Sequence, residues 1–128
     1  MRAIRLCLTL AVLIACRDQA EPVVCTALFA MIPLTVRTQG GAPVSGLAIS
    51  ATVLRTGQSF AVPQFGGGEP GTYVVFDDNF RDRIRASGDS VRIIGSGGAP
   101  GFTADFRFDV PSGCHVRKVA GPDTVTAS

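Results

Sequence analysis

A chain of 128 residues, 46% of them apolar, has room for one hydrophobic core and little more. Its formal charge of +2 is carried by Arg2 and Arg5 near the N-terminus; the remainder is formally neutral and lacks the basic footprint of a nucleic-acid binder. Fifteen Gly and eight Pro, set between runs of Val, Ile, Phe and Thr, favour short strands joined by turns.

Arg2 and Arg5 precede the uncharged run Leu6–Ala15, which is the arrangement of a secretory signal. Such a run spans only about 15 Å as a helix, half of a hydrocarbon core of about 30 Å, so it is too short for a permanent membrane span. It closes on Leu13-Ile14-Ala15-Cys16, with a branched apolar residue three before the cysteine and a small one directly before it. This resembles the lipobox of bacterial lipoprotein precursors. The resemblance implies that residues 1–15 are removed, that Cys16 carries the lipid, and that residues 16–22 tether a domain spanning 23–128. An ordinary signal, cut after Ala15 or Ala20 with Cys16 incidental, is the alternative. Arg17 follows the cysteine and the acidic residue comes one place later, at Asp18. In two-membrane bacteria an Asp directly after the lipidated cysteine favours the inner membrane, so the expected address is the cell envelope, at the outer membrane. Several acyl chains make such anchoring durable, so the membrane is the first expected partner.

Discarding Cys7 with the signal and assigning Cys16 to lipid leaves Cys25 and Cys114. In an oxidising compartment the two are expected to form a disulfide. Closing a loop of roughly 90 residues contributes up to roughly 4.5 kcal/mol through the unfolded chain. Two free thiols, or a metal pair completed by His115, are the other readings.

Beyond the tether, a first strand is expected over Val24 to Thr38, with Pro33 marking an edge position or a switch between sheets. Gln39 to Pro43 reads as a turn. Leu47 to Leu54 alternates with period two, Leu47, Ile49, Ala51 and Val53 pointing one way. Ser59 to Val62 is a weaker strand, the Gly66–Gly71 stretch is a loop, and Thr72 to Phe76 is β-rich. Within Asp77 to Gly88, Asp78 or Asn79 is expected to cap a short helical turn near 79–86, with Phe80 and Ile84 inward. Ser90 to Ile94 resumes strand. Phe102, Ala104, Phe106, Phe108 and Val110 then alternate with Thr103, Asp105, Arg107 and Asp109, which places the aromatic rings on a buried face. A last strand runs from near Cys114 to Thr126, broken at Gly121-Pro122. The whole implies an all-β fold, a single β-sandwich of about seven strands.

Several phrases combine at this point: Leu34-Thr35-Val36-Arg37 leading to Gly41-Ala42-Pro43-Val44, then Gly71-Thr72-Tyr73-Val74-Val75, then Gly113-Cys114-His115-Val116. Together they resemble the carboxypeptidase regulatory-like domains of bacterial lipoproteins, over most of residues 24–126. The resemblance implies an Ig-like or transthyretin-like sandwich, agrees with a Cys25–Cys114 pair, and brings no catalytic residue to carry over. Domains of this kind serve as accessory or adhesive modules. The Gly-rich loop and the Asp77–Gly88 insert depart from the family pattern.

The residues offer little for catalysis. His115 is the lone histidine, and no Gly-x-Ser-x-Gly turn presents a nucleophile, so His115 reads as a surface or strand-edge residue. Asp77, Asp78, Asn79 and Asp82 form the best oxygen-ligand cluster for calcium, although turn and cap roles explain them as well. Arg81, Arg83 and Arg85 are interleaved with acids and read as a solvated face, with anionic head groups as an alternative contact. Gly66 to Gly68 is not followed by Gly-Lys-Ser/Thr and is no phosphate loop. No cofactor and no nucleic acid is implied. The expected function is a non-enzymatic, lipid-anchored envelope module that binds or scaffolds an envelope protein. The alternative is a small-ligand or carbohydrate binder using the Gly66–Gly71 and Asp77–Asp89 loops.

Overall fold

The computed structural model describes residues 22–97 and 100–128; the expected signal segment, Cys16 and the tether before Pro22 lie outside the described residues. Eight strands follow in chain order: β1 (Met31–Arg37), β2 (Ala48–Val53), β3 (Gln58–Val62), β4 (Thr72–Asp77), β5 (Asp89–Ser96), β6 (Phe102–Asp109), β7 (Arg117–Ala120) and β8 (Thr124–Thr126). They form a three-stranded sheet, β4-β1-β8, and a five-stranded sheet, β3-β2-β5-β6-β7. All pairs are antiparallel except β1 with β8.

The fold is the expected all-β sandwich, and period-two alternation builds its core. Leu34 and Val36 of β1 and Tyr73, Val75 and Phe76 of β4 are buried, as are Ile49, Ala51 and Val53 of β2, Val91 and Ile93 of β5, and Phe106 and Phe108 of β6. Fully burying an aliphatic or phenyl side chain of this size contributes about 1.5–3 kcal/mol. Phe76 of the smaller sheet stacks on Phe108 of the larger, centroids 4.6 Å apart, so the β6 aromatic row meets the opposite layer. Gly95 shows why one core strand carries a glycine: a Cβ there would fall 2.2 Å from the Phe102 ring, which lies over the β5 backbone.

Several sequence expectations need correction. Residues 22–30 are not strand; the chain enters the sheet only at Met31. The Ala30 N–H goes to the Asp78 side chain instead of a neighbouring strand. Pro33 does sit at a local edge, because β8 pairs only with Thr35 to Arg37, and the β1–β4 ladder bulges between Ile32 and Pro33. The expected helical turn is a 3-10 turn, Asp78–Arg83, capped by Asp77, which is one residue earlier than anticipated. The last strand is two strands in different sheets: the chain leaves β7 at Gly121-Pro122 and crosses to lie parallel to β1 as β8. The strands among the described residues therefore number eight.

Pairing register gives the sandwich two distinct ends. The start of β1, the end of β4, the 3-10 turn and the end of β6 share one end, where the N-terminal segment enters. The Gly-rich loop between β3 and β4 lies at the other. At that far end the Tyr73 hydroxyl donates to the Val44 carbonyl (2.7 Å) and accepts from the Leu47 N–H (3.3 Å), tying down the loop before β2. The Gln64 amide both donates to and accepts from the Val74 backbone (2.8 and 2.9 Å), standing in for a missing strand at the β4 edge.

Candidate functional site

The polar chemistry gathers at the entry end. Cys25 and Cys114 form a disulfide, Cα atoms 5.3 Å apart, which fastens the N-terminal segment to the residue before His115. The bond makes neighbours of Thr26 and His115. His115 Nε2 lies 3.0 Å from the Thr26 hydroxyl, and its Nδ1 lies 2.6 Å from Asp78 Oδ2. With the Nδ1 proton directed at the carboxylate, Nε2 is left to accept from Thr26.

Asp78 is the hub of this arrangement. It is buried at 7% exposure, and its carboxylate also accepts from the Ala30 N–H (2.9 Å) and the Val116 N–H (2.8 Å). Burial pushes the carboxyl upward, but the Ala30 N–H, the His115 ring and the Val116 N–H outweigh it and hold the group below the ordinary carboxylate range. One side chain therefore clips together the segment leading into β1, the 3-10 turn and the approach to β7.

Another buried acid lies further along the chain, beyond the 3-10 turn. Asp89, at the start of β5, receives a bidentate Arg55 guanidinium (2.8 and 2.9 Å) together with the Arg85 N–H (2.9 Å) and Nε (3.1 Å). The Arg55 bond is the main reason its carboxyl sits far below the usual range. Arg85 is thereby paired, Arg83 lies over the Phe60 ring at 5.4 Å, and Arg81 donates to the Cys114 carbonyl at 3.4 Å. All three arginines are exposed, as expected of a solvated face, and each makes a different contact.

The calcium candidates are not brought together as a ligand set. Asp77 Oδ1 accepts from the Asn79 N–H as the cap of the 3-10 turn, Asp78 is engaged as above, and Asp82 is 93% exposed. No group of three or more His, Cys, Asp or Glu placed to hold a metal occurs among the described residues. The Gly66–Gly71 loop and the Asp77–Asp89 segment lie at opposite ends of β4, so they cannot form a shared site. An open cavity of about 350 Å³ does lie against the hub, lined by Thr26, Leu28, Asn79, Arg81, Asp82 and His115 among others.

The sequence reading of His115 as a plain surface residue missed this cluster. Its one available signal was adjacency: Thr26 follows Cys25, and His115 follows Cys114. Nothing local marked Asp78 as the acid between them. Compared with known proteins, the chain matches no family model, no curated protein and no solved structure.

Proposed function

We propose that this chain is a non-enzymatic, lipid-anchored module of the bacterial cell envelope, held by Cys16 at the outer membrane, that binds or scaffolds an envelope protein. The observation that carries this reading is the double fastening of the entry segment. The Cys25–Cys114 bond and the Asp78 hub lock the point where a tether would join to a rigid sandwich. A disulfide also suits an exported, oxidising setting. Locking the entry leaves the far end to face outward, where Phe65 beside the Gly-rich loop is 56% exposed. The two-sheet sandwich is compatible with the carboxypeptidase regulatory-like resemblance, which is part of the same proposal.

The Thr26–His115–Asp78 chain has the connectivity of a nucleophile, base and acid, but each member already has a fastening role. Asp78 holds two backbone N–H groups from remote segments, and Thr26 and His115 bridge the two chain segments beside the disulfide. A Cys16→Ala variant is expected to leave the membrane fraction, and unchanged association would reject the anchor. Crosslinking from position 69, in the same loop, in intact membranes is expected to give a saturable protein adduct that Phe65→Ser abolishes.

The cavity beside His115 supports a second reading, a small polar ligand such as a carbohydrate. Saccharide-induced thermal stabilisation that Asn79→Ala removes would favour it over a protein partner.

A further inference from the structure

Five of the nine large apolar side chains exposed among the described residues fall within residues 23–31: Val23, Val24, Leu28, Phe29 and Met31. The other four, Leu54, Phe65, Ile94 and Val119, sit singly on separate elements. Scattered apolar residues are ordinary, but a cluster on one short segment marks an interaction surface. Val24 is 88% and Leu28 78% exposed, so the segment presents these side chains outward. The disulfide at Cys25 and the Ala30–Asp78 bond hold it in that pose from both sides.

The same end carries basic side chains. Among the described residues Arg81 meets a carboxylate only at 4.0 Å, that of the exposed Asp82, and Arg83 has no carboxylate contact. Of the three buried acids, Asp78 is engaged with His115, Asp89 with Arg55 and Arg85, and Asp77 accepts from the Asn79 N–H through Oδ1 while its Oδ2 has no partner among the described residues. Arg117 is on Asp109, and Arg107 donates to the Ser87 carbonyl. Apolar side chains beside guanidinium groups suit the boundary between acyl chains and phosphates.

We infer that this end of the sandwich rests on the lipid surface, with Val24, Leu28 and Phe29 entering the head-group boundary and Arg81 and Arg83 facing lipid phosphates. The inference rests on the reading of Cys16 as the anchor and extends it to the pose of the domain. Chain length favours lipid over a protein occupant. From Cys16 to Val23 an extended chain reaches at most about 25 Å, so the cluster is confined beside the bilayer. Lipid is then present at high effective concentration without recruitment. Docking would fix the sandwich with its Gly-rich end outward.

The chain contains no tryptophan, so one introduced indole is an unambiguous reporter. The full mature protein, isolated from envelopes and reconstituted in phosphatidylethanolamine–phosphatidylglycerol vesicles, would carry Leu28→Trp, with Val24→Trp as an independent second variant. The expected result is blue-shifted emission that is lost when the lipids are brominated near the top of the acyl chains. Phe65→Trp, at the opposite end, is expected to emit as in water and to resist the quencher. Water-like, unquenched emission from both position 28 and position 24 overturns the docking. So does a photoreactive residue at position 28 that captures a protein instead of phospholipid in intact envelopes. Intact mass separates the two layers: a lipid-bearing protein with unquenched indoles rejects the docking alone, whereas absence of the lipid mass rejects the anchor and the docking with it.

Discussion

Replacing Asp78 with Asn tests whether the hub fastens the entry segment. The carboxylate accepts three hydrogen bonds, from the Ala30 N–H, the Val116 N–H and His115 Nδ1, at 2.6–2.9 Å. An Asn side chain keeps one acceptor oxygen and turns an NH2 group toward donors, so at least one backbone N–H is left without a partner. Each charge-assisted bond of this kind contributes about 1.5–3 kcal/mol, and each orphaned buried donor costs about 1–3 kcal/mol. Because the three share one carboxylate, their losses do not add, and about 3 kcal/mol is the expected destabilisation. For a domain of this size that lowers the melting temperature by roughly 10–15 °C. Urea unfolding followed by circular dichroism gives the free energy, and amide exchange at Ala30 and Val116 locates it. Asp82→Asn, at a side chain 93% exposed, is the matched control and should stay within about 0.5 kcal/mol of the parent. An Asp78→Asn protein as stable as that control, with Ala30 still protected, would refute the hub.

Three further outcomes follow from the geometry. Reducing the Cys25–Cys114 bond should lower stability by up to about 4.5 kcal/mol, since it closes most of the domain into one loop; denaturant melts with and without reductant measure the loss. For Asp89 the folded carboxyl lies far below its unfolded value, mainly through Arg55, so its stabilisation is complete above about pH 4 and fades as pH falls further. The stability gap between the parent and Asp89→Asn should accordingly be widest near neutrality and narrow on acidification, as read by urea melts across pH. Tyr73→Phe removes a buried hydroxyl that serves both Val44 and Leu47 and should cost about 1–3 kcal/mol, with exchange protection lost first at Leu47.

Much of the sandwich was legible because burial on one face of a strand writes a period of two into the sequence. β6 shows this most clearly: Phe102, Phe106 and Phe108 are buried while Thr103, Asp105 and Arg107 are exposed. The errors fall where that period has no hold. Residues 22–30 carry strand-forming apolar side chains, yet a disulfide and a carboxylate engage the segment where strand pairing was expected. The division of the last strand follows from Gly121, whose φ of +131° and contact with the Phe106 ring suit glycine and redirect the chain to the other sheet. Propensity sees Val119 and Val125 as equally β-prone and is silent on which sheet receives each.

The hub was illegible for a different reason. Asp78 stands 37 positions from His115 and 48 from Ala30, and no local pattern encodes contacts at such separations. The cysteines encoded one long-range constraint, and a pair at 25 and 114 brings residues 26 and 115 within reach of each other, which the structure shows to be a contact. Read that way, a disulfide locates neighbours as well as stabilising a fold, and the sole histidine could have been assigned a partner before any coordinates. It could not have been assigned a role. A hydroxyl, an imidazole and a carboxylate in line are what a hydrolase needs and also what a polar clasp needs. Here Asp78 also holds two segments of backbone, which gives it a structural duty whatever else the trio does. If the clasp reading is right, Asp78→Asn should free the entry segment and weaken the lipid contact of Leu28 along with the fold. Loss of stability with the Leu28→Trp quenching intact would mean that the disulfide alone sets the pose of that segment.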